Sequence, residues 1–413
     1  MSKTGEFFAI DRRVWAFVCD LGMNAAASYL VMARGTGRDN RTTSWSVNAI
    51  ENYTGIGRPR AKKAIQALVD HGVIAITQGG AKPRYYLKPA IEIPGCEGAP
   101  PRTGYMASLH AILPTGASAA PIRLMTSTEK KWGDTSACAL GRLLVRDGLA
   151  REVGDRYFVG IPYDADEAAA ADWIWIPNVV VDGAADETPP LERLRQIGNT
   201  LALRIFCDLY HSHDLPSDGG LPWRRGEMIQ KHYDRIEVGR RGPYIVWGFR
   251  PHVTKSWNDS PLFTTRLRGH ERPSADGGKI FWDAWSILEA DGLVHFVTHL
   301  VESEGGEIFH PLPIENGEPA EQAIRDAAFF ASWAMVSLDQ WTRATTKEQI
   351  QMAVPVLAKY KDVQLVGIAR LRYRPNTTAT TIWYGKADKW LEKAAELEAL
   401  AAEARPAQHA TSR

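Results

Sequence analysis

The chain has 413 residues, 49 Lys and Arg against 48 Asp and Glu, a formal charge of +1, and 45% apolar residues. That length suggests two to four domains with ordinary cores. The charge balance excludes a wholly basic nucleic-acid coat protein but leaves room for a local basic patch. Cys19, Cys96, Cys138 and Cys207 are scattered with no C-x-x-C pair, so neither a zinc ribbon nor a dithiol redox motif is expected. Buried thiols in a reducing cytosol are the simplest account of them. The N-terminus lacks a signal-peptide pattern and no apolar run reaches transmembrane length, so we expect a cytoplasmic chain with no membrane partner.

Residues 7–18 read as an entry strand or helix. Residues 23–34 read as a first full helix with Ala26, Tyr29, Leu30 and Ala33 on one face. The polar loop 35–41 lacks G-x-x-x-x-G-K-[ST], so a phosphate cradle is not expected there; Arg38 and Arg41 are expected beside backbone phosphates instead.

Ser44 to Pro89 is the most informative stretch. A helix is predicted from about Ser46, a suitable N-cap, to Tyr53. Thr54-Gly55-Ile56-Gly57 breaks it. A second helix follows from Arg58 to about His71, with Ala61, Ala64, Ile65, Leu68 and Val69 at helical spacing and Arg58, Arg60, Lys62, Lys63 and Gln66 opposite. Gly72 stops it. Val73–Thr77 and Arg84–Leu87 read as strands joined by a glycine-rich tip that carries Lys82. Residues 1–90 hold thirteen Lys and Arg against six Asp and Glu, about +7, so the rest of the chain is slightly acidic.

Helix, tight turn, basic-faced helix and basic-tipped hairpin together resemble the winged helix-turn-helix family over about residues 10–89. The resemblance is carried by order and patterning. It implies that the second helix enters the DNA major groove, with Arg58, Arg60, Lys62, Lys63 and Gln66 as reading and anchoring groups and Ser46 near the helix start. It also implies that Lys82 and Arg84 belong to a wing along the adjacent backbone or minor groove.

Residues 91–121 are rich in Pro, Gly and Ala and read as a linker. A second helix–hairpin unit is expected over 122–165, with a helix at 135–147 and strands 149–152 and 156–159 around Gly154-Asp155. A third is expected at 279–311, closing a central domain of 166–315. His71-Gly72-Val73, Asp147-Gly148-Leu149 and Asp291-Gly292-Leu293 align and hint at a repeat. Lys130, Lys131, Arg142 and Arg146 would let the second unit touch phosphate, whereas Asp283, Glu289 and Asp291 suit the third to a protein contact.

Residues 173–190 read as a strand-like run and a turn, and Leu191–Tyr210 as one strong helix. The stretch 222–250 is basic and aromatic: Arg224, Arg225, Lys231, Arg235, Arg240 and Arg241 form either a second phosphate-contacting patch or a plain basic surface. In the C-terminal region, 316–413, a helix over 318–339 is expected to bury Ile324, Ala328, Trp333 and Val336. A strand over 363–373 should carry Arg370, Arg372 and Arg374 on one face and pair with Thr380–Tyr384. The last helix, 386–404, has Trp390, Ala394, Leu397, Ala401 and Ala404 in a stripe suited to its own domain or to a second subunit. The tail after it is expected to be disordered.

The best enzymatic candidate is Cys207-Asp208 with His211, His213, Asp214 and Asp218; His295, His299 and His310 are a weaker one. H-E-x-x-H, G-x-S-x-G and Walker motifs are absent. The expectation is therefore a helix-rich α+β protein of tandem winged-helix-like units, three-helix cores with β-hairpin wings. It would be no enzyme, with no cofactor, metal or small-molecule substrate. It would bind double-stranded DNA in a sequence-specific way, as a homodimer, and act as transcription regulator or plasmid or phage replication initiator. A winged-helix protein-interaction scaffold is the first alternative and a metal-dependent nuclease the second.

Overall fold

The computed structural model describes residues 7–94, 96, 112–114, 150–153, 156–159, 171–184, 187–213, 219–221, 230–251, 275–302, 307–360, 362–374 and 378–404. The helix expected at 135–147 lies outside them, as do Gly154-Asp155, Arg224, Arg225, Asp214, Asp218 and the C-terminal tail. The described part is α+β with antiparallel sheets. No helix among the described residues is long and apolar enough to cross a membrane. The chain divides into two compact units, residues 1–10, 15–87 and 173–413 in one and 11–14 and 88–172 in the other.

In the smaller unit, β5 (Ile112–Pro114), β6 (Ala150–Val153) and β7 (Arg156–Val159) form a sheet of order β5-β7-β6. β5 falls inside the stretch read as linker. Fully buried Asp11 receives Nε and Nη2 of Arg13 at 3.2 and 3.1 Å. Burial, then the Asp11 charge, pushes the Cys96 thiol up to about 11, so this cysteine stays a thiol.

The larger unit takes β1 (Phe7–Asp11) up to Ile10, α1 (Arg12–Asp20) from Trp15 on, and α2 (Met23–Arg34). Every residue of α2 from Ala25 to Ala33 is buried, not one face alone. Its near-continuous small and apolar sequence makes that possible. β2 (Thr42–Thr43), α3 (Val47–Thr54), α4 (Arg58–Asp70), β3 (Ile74–Gln78) and β4 (Arg84–Leu87) follow, with sheet order β2-β4-β3. β8 (Trp173–Pro177) pairs with β1, and α5 (Val179–Asp182) and α6 (Pro190–Ile197) pack on α2 and α3. The single helix expected over 191–210 is two. Gly198 adopts a left-handed φ of +80°, and Asn199 then caps α7 (Thr200–Ser212) by accepting the Ala202 amide at 2.9 Å.

The remaining elements build a six-stranded antiparallel sheet of order β12-β11-β14-β9-β10-β13. Its strands are β9 (Gln230–Arg241), β10 (Tyr244–Pro251), β11 (Val294–Val301), β12 (Ile308–Pro311), β13 (Met352–Leu357) and β14 (Gln364–Leu371). Helix α8 (Ala275–Ala290) precedes β11, and Gly292 closes it with φ +66°. The β11–β12 hairpin is not a free wing, because β11 also pairs along its whole length with β14, from Val294↔Leu371 to Val301↔Gln364.

Helix α9 (Pro319–Met335) packs against α12 (Ala387–Ala404), with α10 (Leu338–Thr342) and α11 (Thr378–Tyr384) completing the unit. Ala394, Leu397, Ala401 and Ala404 are buried in the core that α9 lines, so the stripe of the last helix serves its own unit. In α9 the buried positions include Ile324, Ala328, Ala331 and Met335, while Trp333 is 40% exposed, contrary to expectation. At about 100° per residue it sits roughly 200° from Ala331. Residues 380–384 are helical rather than a strand: Thr380 and Trp383 are buried three apart, and Ile382 and Tyr384 are exposed.

The expected arginine face of 363–373 is also absent. β14 is buried on both sides, and Arg370 turns into the core at 1% exposure. Its Nη1 donates to both oxygens of buried Glu321 at 2.9 Å, and its Nη2 donates to Nε2 of His299 at 2.8 Å. His299 gives its Nδ1 proton to the Val297 carbonyl at 3.0 Å. Arg372 lies beyond the strand end and pairs with Glu187 at 2.6 Å; Arg374 pairs with Glu318 at 3.3 Å.

Candidate nucleic-acid interface

Helix α4 has two unlike faces. Ala61, Ala64, Ile65 and Leu68 are buried at i, i+3, i+4 and i+7. Burial of Ile65 and Leu68 contributes about 1.5–3 kcal/mol each and fixes the rotation of the helix. Arg58, Arg60, Lys62, Lys63 and Gln66 are therefore all exposed on the outer face, while Val69 is half-buried at the boundary.

The preceding turn depends on Gly55, whose φ of +64° and ψ of 14° close α3. Ser46 occupies the N-cap position of α3, but its side chain makes no capping hydrogen bond. Asn48, in the first turn of α3, accepts from Nη1 of Arg58 at 2.7 Å and so orients that guanidinium across the turn. Sequence reading missed Asn48, and only its place ten residues before Arg58 hints at it. Gln66 donates to Asp70 at 2.7 Å on the same helix.

The hairpin carries the other predicted groups. β3 and β4 pair from Ile74↔Leu87 to Gln78↔Arg84 with a register shift after Ile76. The tip, Lys82 and Arg84 are exposed. Arg38 is exposed in the 35–41 loop. There the Asp39 carboxylate accepts the amides of Arg41 and Thr42 at 3.1 Å. Burial opposes its ionisation, but the Thr42 hydroxyl and these amides outweigh burial and hold its pKa below the usual value. Arg41 does not extend to solvent as expected for a phosphate contact. It is half-buried, with its guanidinium 4.7 Å over the Trp173 ring.

The charges of α4 oppose its own dipole. The first turn holds no acidic residue and the last turn no basic one, while four cations crowd the N-terminal half. Each cation near a helix N-terminus costs about 0.3–1 kcal/mol. Among the described residues no carboxylate pairs with Arg38, Arg58, Arg60, Lys62, Lys63, Lys82 or Arg84. Arg34 differs: its Nη2 meets Asp182 at 2.6 Å and its guanidinium lies 5.6 Å from the Trp45 ring, which itself stacks on Tyr53 at 4.9 Å.

In the other basic stretch the described arginines pair internally. Arg235 lies 4.3 Å over Trp247 and donates to the Val363 carbonyl at 2.7 Å. Arg240 pairs with Glu237 at 2.6 Å, and Arg241 donates to the Ala334 carbonyl.

Of the candidate histidines, His299 and His310 are buried and His211, His213 and His295 are half-buried. Asp208 is buried with Nε of Arg204 3.8 Å away, and His213 gives its Nε2 proton to the Gly219 carbonyl at 2.7 Å. Among the described residues no three His, Cys, Asp or Glu side chains gather to hold a metal ion. The chain matches no protein-family model, no curated protein and no solved structure.

Proposed function

We propose that this chain binds double-stranded DNA in a sequence-specific way through α4, with the β3–β4 hairpin and the 35–41 loop on flanking backbone. The single observation that carries the reading is the outer face of α4: four exposed cations unpaired by described carboxylates, with Arg58 and Arg60 in the first turn, where the helix dipole disfavours them. The charges of that face work against the helix dipole, and a polyanion offsets their cost. The order helix, turn, helix, hairpin is similar to that of winged helix-turn-helix modules and supports the same reading. A helix of 13 residues is about 20 Å long, a length the major groove admits. Arg58 and Arg60 are the base-reading candidates, since a guanidinium spans two acceptors of guanine; Lys62, Lys63, Lys82 and Arg84 are the phosphate anchors.

The biological role is that of a cytoplasmic transcription regulator or of a plasmid or phage replication initiator, acting as a homodimer on a palindromic site. Further winged-helix-like units in tandem belong to this proposal only for the stretch around β6 and β7. The test is a duplex shift assay on the full chain. Arg60→Glu with Lys63→Glu should abolish binding and leave the circular-dichroism spectrum and melting unchanged, because both side chains are exposed. Retained affinity would move the function elsewhere.

A further inference from the structure

The turn between α3 and α4 has a neighbour from far along the chain. Helix α6 packs on α3, and its Arg195 lies 140 residues beyond Gly55 in sequence. A side-chain carbon added at Gly55 would stand 3.4 Å from Nη2 of Arg195 and 3.1 Å from Oε1 of Glu192. The Arg195 guanidinium therefore sits against the exposed backbone of the turn that leads into α4. Arg58, held by Asn48, stands across the same turn. Arg195 is half-buried, with its Nε enclosed and without a hydrogen bond, while its terminal nitrogens are not so enclosed. Among the described residues no carboxylate pairs with it. Glu192 is one turn earlier, but its Oε1 accepts from Nε2 of Gln196 at 3.1 Å. The other arginine nearby in α6 is used differently, since Arg193 pairs with Asp291 at 3.3 Å.

We propose that Arg195 is a further phosphate-contacting residue of the duplex interface, so that α6 belongs to the DNA-binding surface together with α4. This rests on the α4 reading and deepens it. When a reading helix enters the major groove, the helix before it crosses the backbone, and the turn between the two faces a phosphate strand. A guanidinium fixed at that turn has lost much of its rotamer freedom in advance and offers paired N–H donors to a phosphate oxygen. Covering apolar surface requires only the methylenes of an arginine stem. The charge at the tip is used by no described carboxylate. Glu192 brings the local net charge close to zero, so long-range attraction is left to α4. The contribution of Arg195 is one of position, a single contact that fixes where the strand lies. The interface is then incomplete in residues 10–89 alone.

The test uses the full chain and a fluorescein-labelled thirty-base-pair duplex of random sequence, read by anisotropy between about 50 and 200 mM salt. Arg195→Met keeps the packed stem and removes the charge. It should weaken binding roughly 5- to 10-fold at about 0.1 M salt and make the slope of log K against log salt shallower by about 0.9, the share of one phosphate. Its melting temperature should stay that of the wild type. Arg195→Lys keeps the charge and should keep the slope. Arg60→Glu with Lys63→Glu should abolish binding, so failure of the α4 reading shows in that variant and failure of this one in Arg195→Met alone. A wild-type slope in Arg195→Met would overturn the proposal, whether or not melting changes. So would a loss that Arg195→Lys shares in full, which would mark a packing role for the guanidinium. A wild type that binds no duplex would refute both readings together.

Discussion

The buried Arg370–Glu321 pair makes the sharpest stability prediction. The perturbation is Glu321→Gln. Glu321 is 2% and Arg370 1% exposed, and Nη1 holds both carboxylate oxygens at 2.9 Å, with Nη2 on His299 and the Trp383 ring 5.0 Å from the guanidinium. The glutamine keeps the shape and one acceptor. That acceptor also serves the α9 capping box, in which the Glu318 amide donates to the Glu321 side chain at 3.0 Å. What the substitution removes is the compensating charge. A buried cation stripped of its partner costs about 3–5 kcal/mol, a large share of the roughly 5–15 kcal/mol by which a domain is stable. In a unit of this size each kcal/mol moves Tm by about 2–4 °C, so a loss of roughly 6–20 °C is expected. Urea unfolding followed by circular dichroism measures it. Arg370→Met with Glu321→Leu is the companion: removing both charges should restore stability to within about 1–2 kcal/mol of wild type. Glu321→Gln within 1 kcal/mol of wild type, or a double variant as unstable as the single one, would refute the reasoning.

Three further outcomes are expected. If the seven cations around α4, the wing and the loop all meet phosphate, log K for a random duplex should fall with log salt at a slope near −6, and Arg60→Gln with Lys63→Gln should bring it to about −4.5; titrations at 50 and 200 mM salt measure both. Acidification should destabilise the larger unit. Burial, more than the nearby Lys393 charge, pushes His310 down to about 4, and burial with the Arg374 and Arg370 charges pushes His213 down to about 3. The unfolded chain takes up these protons near pH 6.5 and the folded chain does not, so stability is full above that pH and falls below it. Each histidine costs about 2 kcal/mol by pH 5, and His310→Gln should flatten the pH profile by that share in urea titrations. Gly55→Ala should cost about 1–2 kcal/mol, because an L side chain disfavours φ +64°; Gly55→Asn should cost less in the same assay.

Local patterns were enough to place the two faces of α4. The spacing Ala61, Ala64, Ile65, Leu68 sets the inner face of α4, and with it the outward direction of Arg58, Arg60, Lys62 and Lys63, because a helix period is fixed within a few residues of chain. Gly72, with φ +71°, ends that region where a glycine is needed, and the β3–β4 strands fall within one residue of where alternation puts them. Arg41 could not be read the same way, since its neighbour Trp173 is 132 residues distant in the chain.

Elsewhere the partners decided. Arg370, Arg372 and Arg374 have the two-residue period of an exposed face, but β11 and β9 flank β14 and both of its surfaces are covered. Only Glu321, 49 residues earlier, makes the buried guanidinium tolerable. Trp383 reads as a strand residue until its packing under Arg374, at 4.3 Å, selects a helical turn. Strand order and the burial of charge depend on contacts between remote segments, and a one-dimensional pattern carries no information about which segments those are.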